Sequence, residues 1–315
     1  MKTLIDNDAI QIEITNVCPR HCGNCTRFCS IVPKPYFMPL YEVKNAIDSM
    51  VGFLKMTGIM GGEPLLHKDF AEICKYASSK IQKKQLGLWT ALPKGFEHHA
   101  EIICETFEHI FVNDHEGPSI YHQSPLIGIQ EVFTNPKEMW LHIDKCWAQQ
   151  SWSASVNPRG AWFCEIAASM SMLFHEGFGW PVEPEWWTRI PKDYTEQMER
   201  FCPRCGFAVP TDLRCSLEEK DDVSPLNHEA LKDKVRHPER LNIVQPAATC
   251  KPQPQMAAYK DTNYRNRIAA RYGMRLFVNE MGFWTPYMVN GNMTMLSKSV
   301  IDTITERAAA DENIN

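Results

Sequence analysis

Polar and apolar residues alternate from Gln11 through Ile12, Glu13 and Ile14 to Thr15, the period of a strand with one face on a core. Pro33, Pro35 and Pro39 then hold the chain irregular until apolar positions recur at helical spacing over residues 41–50. Short apolar runs at 53–57, 86–90 and 109–113 predict three more strands, with helices over about 68–78 and 96–107 between them. Such alternation predicts a parallel sheet of β/α units. Residues 126–133 predict a fifth strand, and Pro136 opens a helix reaching about Lys145.

Beyond Cys146 the texture changes. Residues 152–156 and 161–166 read as two strands about a tight Asn157-Pro158-Arg159-Gly160 turn. Residues 174–187 are rich in Gly, Pro and Trp, so Trp180, Trp186 and Trp187 read either as the floor of a sugar or peptide site or as packing. A charged, proline-punctuated stretch over 221–246 carries a helix near 228–235. Arg267, Arg271 and Arg275 would share one helical face if the helix survives Gly273, facing solvent or an anionic group. Residues 284–291 read as strand and loop, and 299–310 as a polar terminal helix.

At 315 residues the chain can bury one large core, or a core with a smaller module. A net charge of -5 gives no electrostatic reason to expect a nucleic acid. With no long apolar run, no membrane-spanning helix is expected, and the start of the chain lacks an apolar signal core. Twelve cysteines on such a chain read as metal ligands in a reducing compartment, with the cytoplasm expected.

The chemistry concentrates at Cys18, Cys22, Cys25 and Cys29, four cysteines in twelve residues directly after the first strand. The first three form CxxxCxxC, and Gly61-Gly62-Glu63-Pro64 follows some forty residues on. Three thiolates in one loop can grip three corners of a cubane, whereas zinc usually takes two separated pairs. Together these motifs resemble the radical SAM superfamily. The resemblance implies a [4Fe-4S] cluster on Cys18, Cys22 and Cys25, with one iron left to chelate S-adenosylmethionine (SAM), and Gly61, Gly62, Glu63 and Pro64 along the methionine part of SAM. In a (β/α) barrel, residues at strand ends turn toward the cofactor or substrate, which makes Thr90, Asn113, Asp114 and His115 candidates for contact or, otherwise, turn caps. Asn24 stands where the superfamily often has an aromatic residue, and Cys29 is surplus.

Cys146, then Cys164 at the end of the hairpin, then Cys202-Pro-Arg-Cys205 resemble the cysteine-rich extension called SPASM or, in its shorter form, twitch. That implies a second [4Fe-4S] cluster on Cys146, Cys164, Cys202 and Cys205, although the same four suit zinc equally well. Some epimerases of the superfamily quench the substrate radical with a cysteine hydrogen donor. Cys250, in a proline-flanked loop, fits that role, with Cys215 and Cys29 as competitors.

The expected architecture is therefore α/β: a partial TIM-like (β/α) radical SAM barrel over residues 1–140, a small cysteine-rich α+β extension over 141–220, and a C-terminal part over 221–315. The expected activity is reductive cleavage of SAM to a 5'-deoxyadenosyl radical and hydrogen abstraction from a sugar-like or other small polar substrate, giving epimerisation or oxidation. A flavodoxin- or ferredoxin-like protein would supply the electron. A peptide- or protein-modifying radical SAM enzyme and a non-enzymatic zinc-binding protein are the alternatives.

Overall fold

The computed structural model describes residues 1–113, 120–151, 154–247, 262–278 and 284–289. The chain opens with β1 (Ala9–Thr15), α1 (Leu40–Ser49), β2 (Met56–Gly61), α2 (Phe70–Lys80), β3 (Leu86–Thr90), α3 (Ala100–Thr106) and β4 (His109–Val112). These four strands run parallel in the order β4-β3-β2-β1, as the alternation of strand and helix requires. After the short β5 (Tyr121–Gln123) come α4 (Pro136–Asp144) and α5 (Trp147–Ser151). β6 (Ala154–Asn157) then pairs parallel with the free side of β1, and β7 (Gly160–Trp162) turns back to complete a six-stranded sheet.

One face of that sheet is apolar. Ile10, Ile12 and Ile14 of β1, Ile59 of β2 and Leu86 and Leu88 of β3 join the main core with residues of α1 and α2. The other face is buried as well, since all seven residues of β1 are inaccessible, so Gln11 and Glu13 lie inside the protein. Farther along this second face Trp89 stacks on Phe111 at 4.1 Å between ring centroids. Trp89 also lies over Gly58, where a Cβ would stand 2.2 Å from the indole. Gly58 is thus a glycine within β2, and β2 begins three residues later than the sequence pattern suggests. Phe53 instead closes the turn after α1 through the carbonyl of Met50.

The second half departs further from expectation. Residues 126–133 form no strand: the Leu126 carbonyl accepts from Ser224 and Asn227, its amide donates to the Ser124 hydroxyl, and Ile129–Glu131 is a 3-10 turn. The hairpin predicted at 152–166 is part of the main sheet, and its returning strand is short. It stops at Trp162, and Cys164 caps α6 (Glu165–Phe174).

Then follow α7 (Thr195–Phe201), β8 (Leu213–Cys215), which pairs with β5, and β9 (Asp221–Val223). α8 (Pro225–Leu231) starts and ends earlier than predicted, and β10 (Leu241–Ile243) pairs with β9. Finally α9 (Thr262–Ala270) leads to the hairpin of β11 (Met274–Val278) and β12 (Trp284–Met288), which packs on β4 and α3. Because α9 ends at Ala270 and Gly273 turns the chain with φ 64°, Arg275 belongs to β11 and the three arginines share no helical face. Trp186 and Trp187 are core residues, the latter donating to the Ser49 carbonyl at 3.0 Å, while Trp180 is half-buried. The terminal helix predicted over 299–310 lies outside the described residues.

Candidate functional site

Parallel strands present their C-terminal ends along one edge, and four of the sequence motifs meet there. The cysteine loop leaves β1, Gly62-Glu63-Pro64 leaves β2, Thr90 ends β3, and Asn113 follows β4 with its amide on the Thr90 carbonyl at 2.8 Å. The two glycines are needed for a close approach of backbones. A Cβ on Gly61 would stand 2.1 Å from the Thr15 carbonyl oxygen, and one on Gly62 2.4 Å from that of Val17. Gly62 and Glu63 instead donate to those same carbonyls at 2.7 and 2.9 Å, which fixes the turn against the stem of the cysteine loop. Gly61→Ala forces this contact apart; the expected loss is about 3 kcal/mol or more of stability, read by chemical denaturation, with lower iron retention.

Glu63 is fully buried, and burial raises its pKa. Its carboxylate accepts from the Thr90 hydroxyl at 2.7 Å, the Ala91 amide at 2.8 Å and the Leu65 amide at 3.1 Å. Glu63 and Thr90, both read from sequence as cofactor contacts, therefore strap the ends of β2 and β3 to each other.

Within the loop, Cys18, Cys22 and Cys25 are half-buried and Cys29 is buried. The Cys29 thiol hydrogen-bonds Cys18 and Cys25, which lowers Cys25 and raises Cys29. Cys22 is pushed up by burial and then by the neighbouring Cys25 and Cys18. The surplus cysteine thus serves as a sulfur-directed donor within the loop.

Asn24 also finds its reason. Its φ is 52°, a left-handed conformation that Asn tolerates better than an aromatic residue. Its side chain accepts from the Asp222 amide at 2.7 Å and donates to the His122 carbonyl at 3.2 Å. Asp222 is held in turn by two hydrogen bonds from Arg214, at 3.0 and 2.6 Å. Next to it the Gly23 and Asn24 amides donate to Ser216 and Lys220 carbonyls. The loop is clamped by β5 and the 215–222 segment, a role for His122, Arg214 and Asp222 that no spacing in the sequence signals. Asn24→Phe is expected to lower iron per chain by about half through this strain, of order 1–3 kcal/mol, measured after anaerobic reconstitution.

The second set of cysteines converges. Cys146 precedes α5, Cys164 caps α6, and Cys202 and Cys205 lie in and after the 3-10 turn that continues α7. Packing of α6 on α7 closes the 37-residue gap, and all four line one largely apolar cavity with Phe163, Ile166, Met170, Phe201 and Phe207. Burial pushes all four thiols up, Cys164 to about 12, and their neighbours in the set push Cys164, Cys202 and Cys205 further. The amides of Ile166 and Ala167 oppose this at Cys164, those of Ala148 and Gln149 at Cys146. Four thiolates in an apolar cavity need positive charge to ionise together, which a bound metal centre supplies.

Among the described residues, no three His, Cys, Asp or Glu side chains converge tightly enough to hold a single metal ion. Cys215 is half-buried on β8. Cys250, Asp114 and His115 lie outside the described residues.

Glu13, on the buried face of β1, is raised to about 7, chiefly by burial and against the pull of Arg27. The folded protein keeps a proton there that the unfolded chain releases near pH 4.3. Its contribution to stability is therefore full below about pH 4.3 and is lost as pH rises toward 7. Glu13→Gln stays neutral, so relative to wild type it should gain on the order of 3 kcal/mol between pH 4 and 8, read from urea denaturation at both pH values.

Residues 12–113 match a family model described as the radical SAM superfamily. Among solved structures, the chain is similar to a crystal structure of BtrN in complex with AdoMet and 2-DOIA, at 14% identity and a TM-score of 0.44, covering 64% of this chain and 93% of that one. It is also similar to SeMet BtrN in an open conformation, at 15% identity and a TM-score of 0.39, covering 64% and 87%. No curated protein matches the chain. Among the described residues no helix is long and apolar enough to cross a membrane.

Proposed function

Residues 12–113 carry a radical SAM domain, and from that premise we propose that the protein abstracts hydrogen from a small polar or sugar-like substrate, with epimerisation or oxidation as the outcome. In this reading Cys18, Cys22 and Cys25 hold a [4Fe-4S] cluster, and Cys146, Cys164, Cys202 and Cys205 hold a second. Cluster and SAM together supply a 5'-deoxyadenosyl radical, able to take hydrogen from an unactivated C–H bond. The single observation that carries the reading is the common strand edge, where the turn after Gly61 lies against the stem of the cysteine loop.

The chain's own part is placement. Gly61 and Gly62 let the turn close on the stem of the cysteine loop, and residues 61–64 are assigned to the methionine part of SAM. Glu63 and Thr90 hold that turn rigid, and Asn113 borders the same edge. The apolar cavity around the second set excludes water from it. Supporting four cysteines on one centre is the convergence of all four on that cavity; zinc there is the competing occupant. Residues 141–220 then form a unit by their chemistry, between a core at 1–140 and a C-terminal part at 221–315.

Cys250 is proposed as the hydrogen donor of an epimerisation, and a flavodoxin- or ferredoxin-like protein in the cytoplasm as the source of the electron. A peptide substrate is the second reading. The test is anaerobic incubation with SAM, a reductant and candidate polyols or aminocyclitols in D2O. SAM-dependent deuterium at one substrate carbon supports epimerisation, and loss of two hydrogens supports oxidation. Failure to form 5'-deoxyadenosine with iron fully loaded excludes both.

A further inference from the structure

A buried ion network spans the two cysteine sets. Arg27 stands two residues after Cys25, and Glu165 directly follows Cys164. Arg27 Nη2 reaches Glu165 Oε2 at 2.6 Å and donates to Gln11 Oε1 at 2.9 Å. Its Nε lies 3.8 Å from Glu13 Oε2. The side chains of Arg27, Glu13 and Glu165 are 4%, 1% and 11% exposed, and Ser169 and Met60 close the remaining sides of the guanidinium. The Arg27 guanidinium, the Glu165 carboxylate and the Glu13 carboxyl group thus sit between β1, β2 and α6, with Arg27 and Glu165 two residues and one residue along the chain from Cys25 and Cys164.

As a stabiliser such a set is weak, because desolvation of the buried charges offsets most of their attraction. Arg27 Nε, Glu13 Oε2 and Gln11 Nε2 also lack hydrogen-bond partners. What the burial does provide is reach, since charges away from solvent are little screened by salt. Each one-electron reduction of a cluster adds one negative charge, taken from an external donor, with no bond made or broken. A fixed cation nearby favours that reduced state and a fixed carboxylate opposes it.

We propose that Arg27 and Glu165 form an electrostatic link that sets the reduction potentials of both centres in opposite directions, Arg27 upward and Glu165 downward. This rests on reading both cysteine sets as [4Fe-4S] sites. Arg27 and Glu165 are positioning residues in this scheme, because each acts through the cysteine-held centres.

The test uses the full-length, anaerobically reconstituted protein titrated with dithionite and followed by electron paramagnetic resonance. Arg27→Met should make both potentials more negative, by about tenfold in the reduction equilibrium, or 59 mV for one electron. Glu165→Gln should shift them positive, and Arg27→Lys should restore the wild-type sign. Shifts of the same sign in R27M and E165Q, or unmoved potentials with two clusters loaded, overturn the link and leave the proposed function standing. If R27M does not load iron, R27K and E165Q carry the sign test, and an unmoved E165Q overturns it. A wild type with one cluster or none fails at the earlier step, and the link falls with it.

Discussion

Replacing Cys18, Cys22 and Cys25 together by alanine is expected to remove about four of about eight irons per chain and to reduce SAM cleavage to the level of a protein-free control. The three thiolates come from one loop, whose fourth cysteine is Cys29. Cys29 is the buried fourth thiol and lies outside the CxxxCxxC motif, so Cys29→Ala should leave iron content near wild type. The contrast between these variants, measured as iron per chain and 5'-deoxyadenosine formed, separates ligand from neighbour. Equal losses in both would assign Cys29 a ligand's part and break the CxxxCxxC reading.

The second large effect is expected from Cys202→Ala combined with Cys205→Ala. These two supply half of the cysteines around the apolar cavity, and the remaining Cys146 and Cys164 cannot hold a cubane that takes four thiolates. Iron should again fall by about four per chain. SAM cleavage should persist, because the turn after Gly61 and the loop after β1 are untouched, whereas turnover of the substrate should be lost. Were zinc the occupant, the same variant would lose about one zinc and no iron.

Local spacing is what marks the first candidate site. The CxxxCxxC loop, the Gly-Gly-Glu-Pro turn and the alternation of residues 11–15 are short-range patterns, and each reports a local geometry that survives folding. The tight turn at Asn157–Gly160 was readable for the same reason. Long-range pairing was not. Nothing in the period of residues 154–157 says that they lie beside Ile10–Ile12, more than a hundred residues earlier. Residues 126–133 look like a strand because they are apolar, yet their backbone groups are taken by Ser124, Ser224 and Asn227, which no window of sequence joins to them.

Polar residues on a buried face were the least visible. Alternation marks Gln11 and Glu13 as the solvent side of β1, and only the covering by Arg27 and α6 turns that side into an interior. Asn24 reads in sequence as a departure from a motif, and the structure makes it the residue that fits a left-handed turn to the Asp222 amide. The resemblance sets Gly61 and Gly62 along the methionine part of SAM. Their nearest neighbours are the carbonyls of Thr15 and Val17, so the backbone approach already demands glycine.

The most direct measurement is iron, acid-labile sulfide and zinc per chain on anaerobically reconstituted wild type. About eight irons and eight sulfides with negligible zinc are the result expected for two cubane centres, one in the loop after β1 and one in the cavity between α6 and α7. A wild-type protein loaded with zinc and free of iron after the same treatment would contradict it.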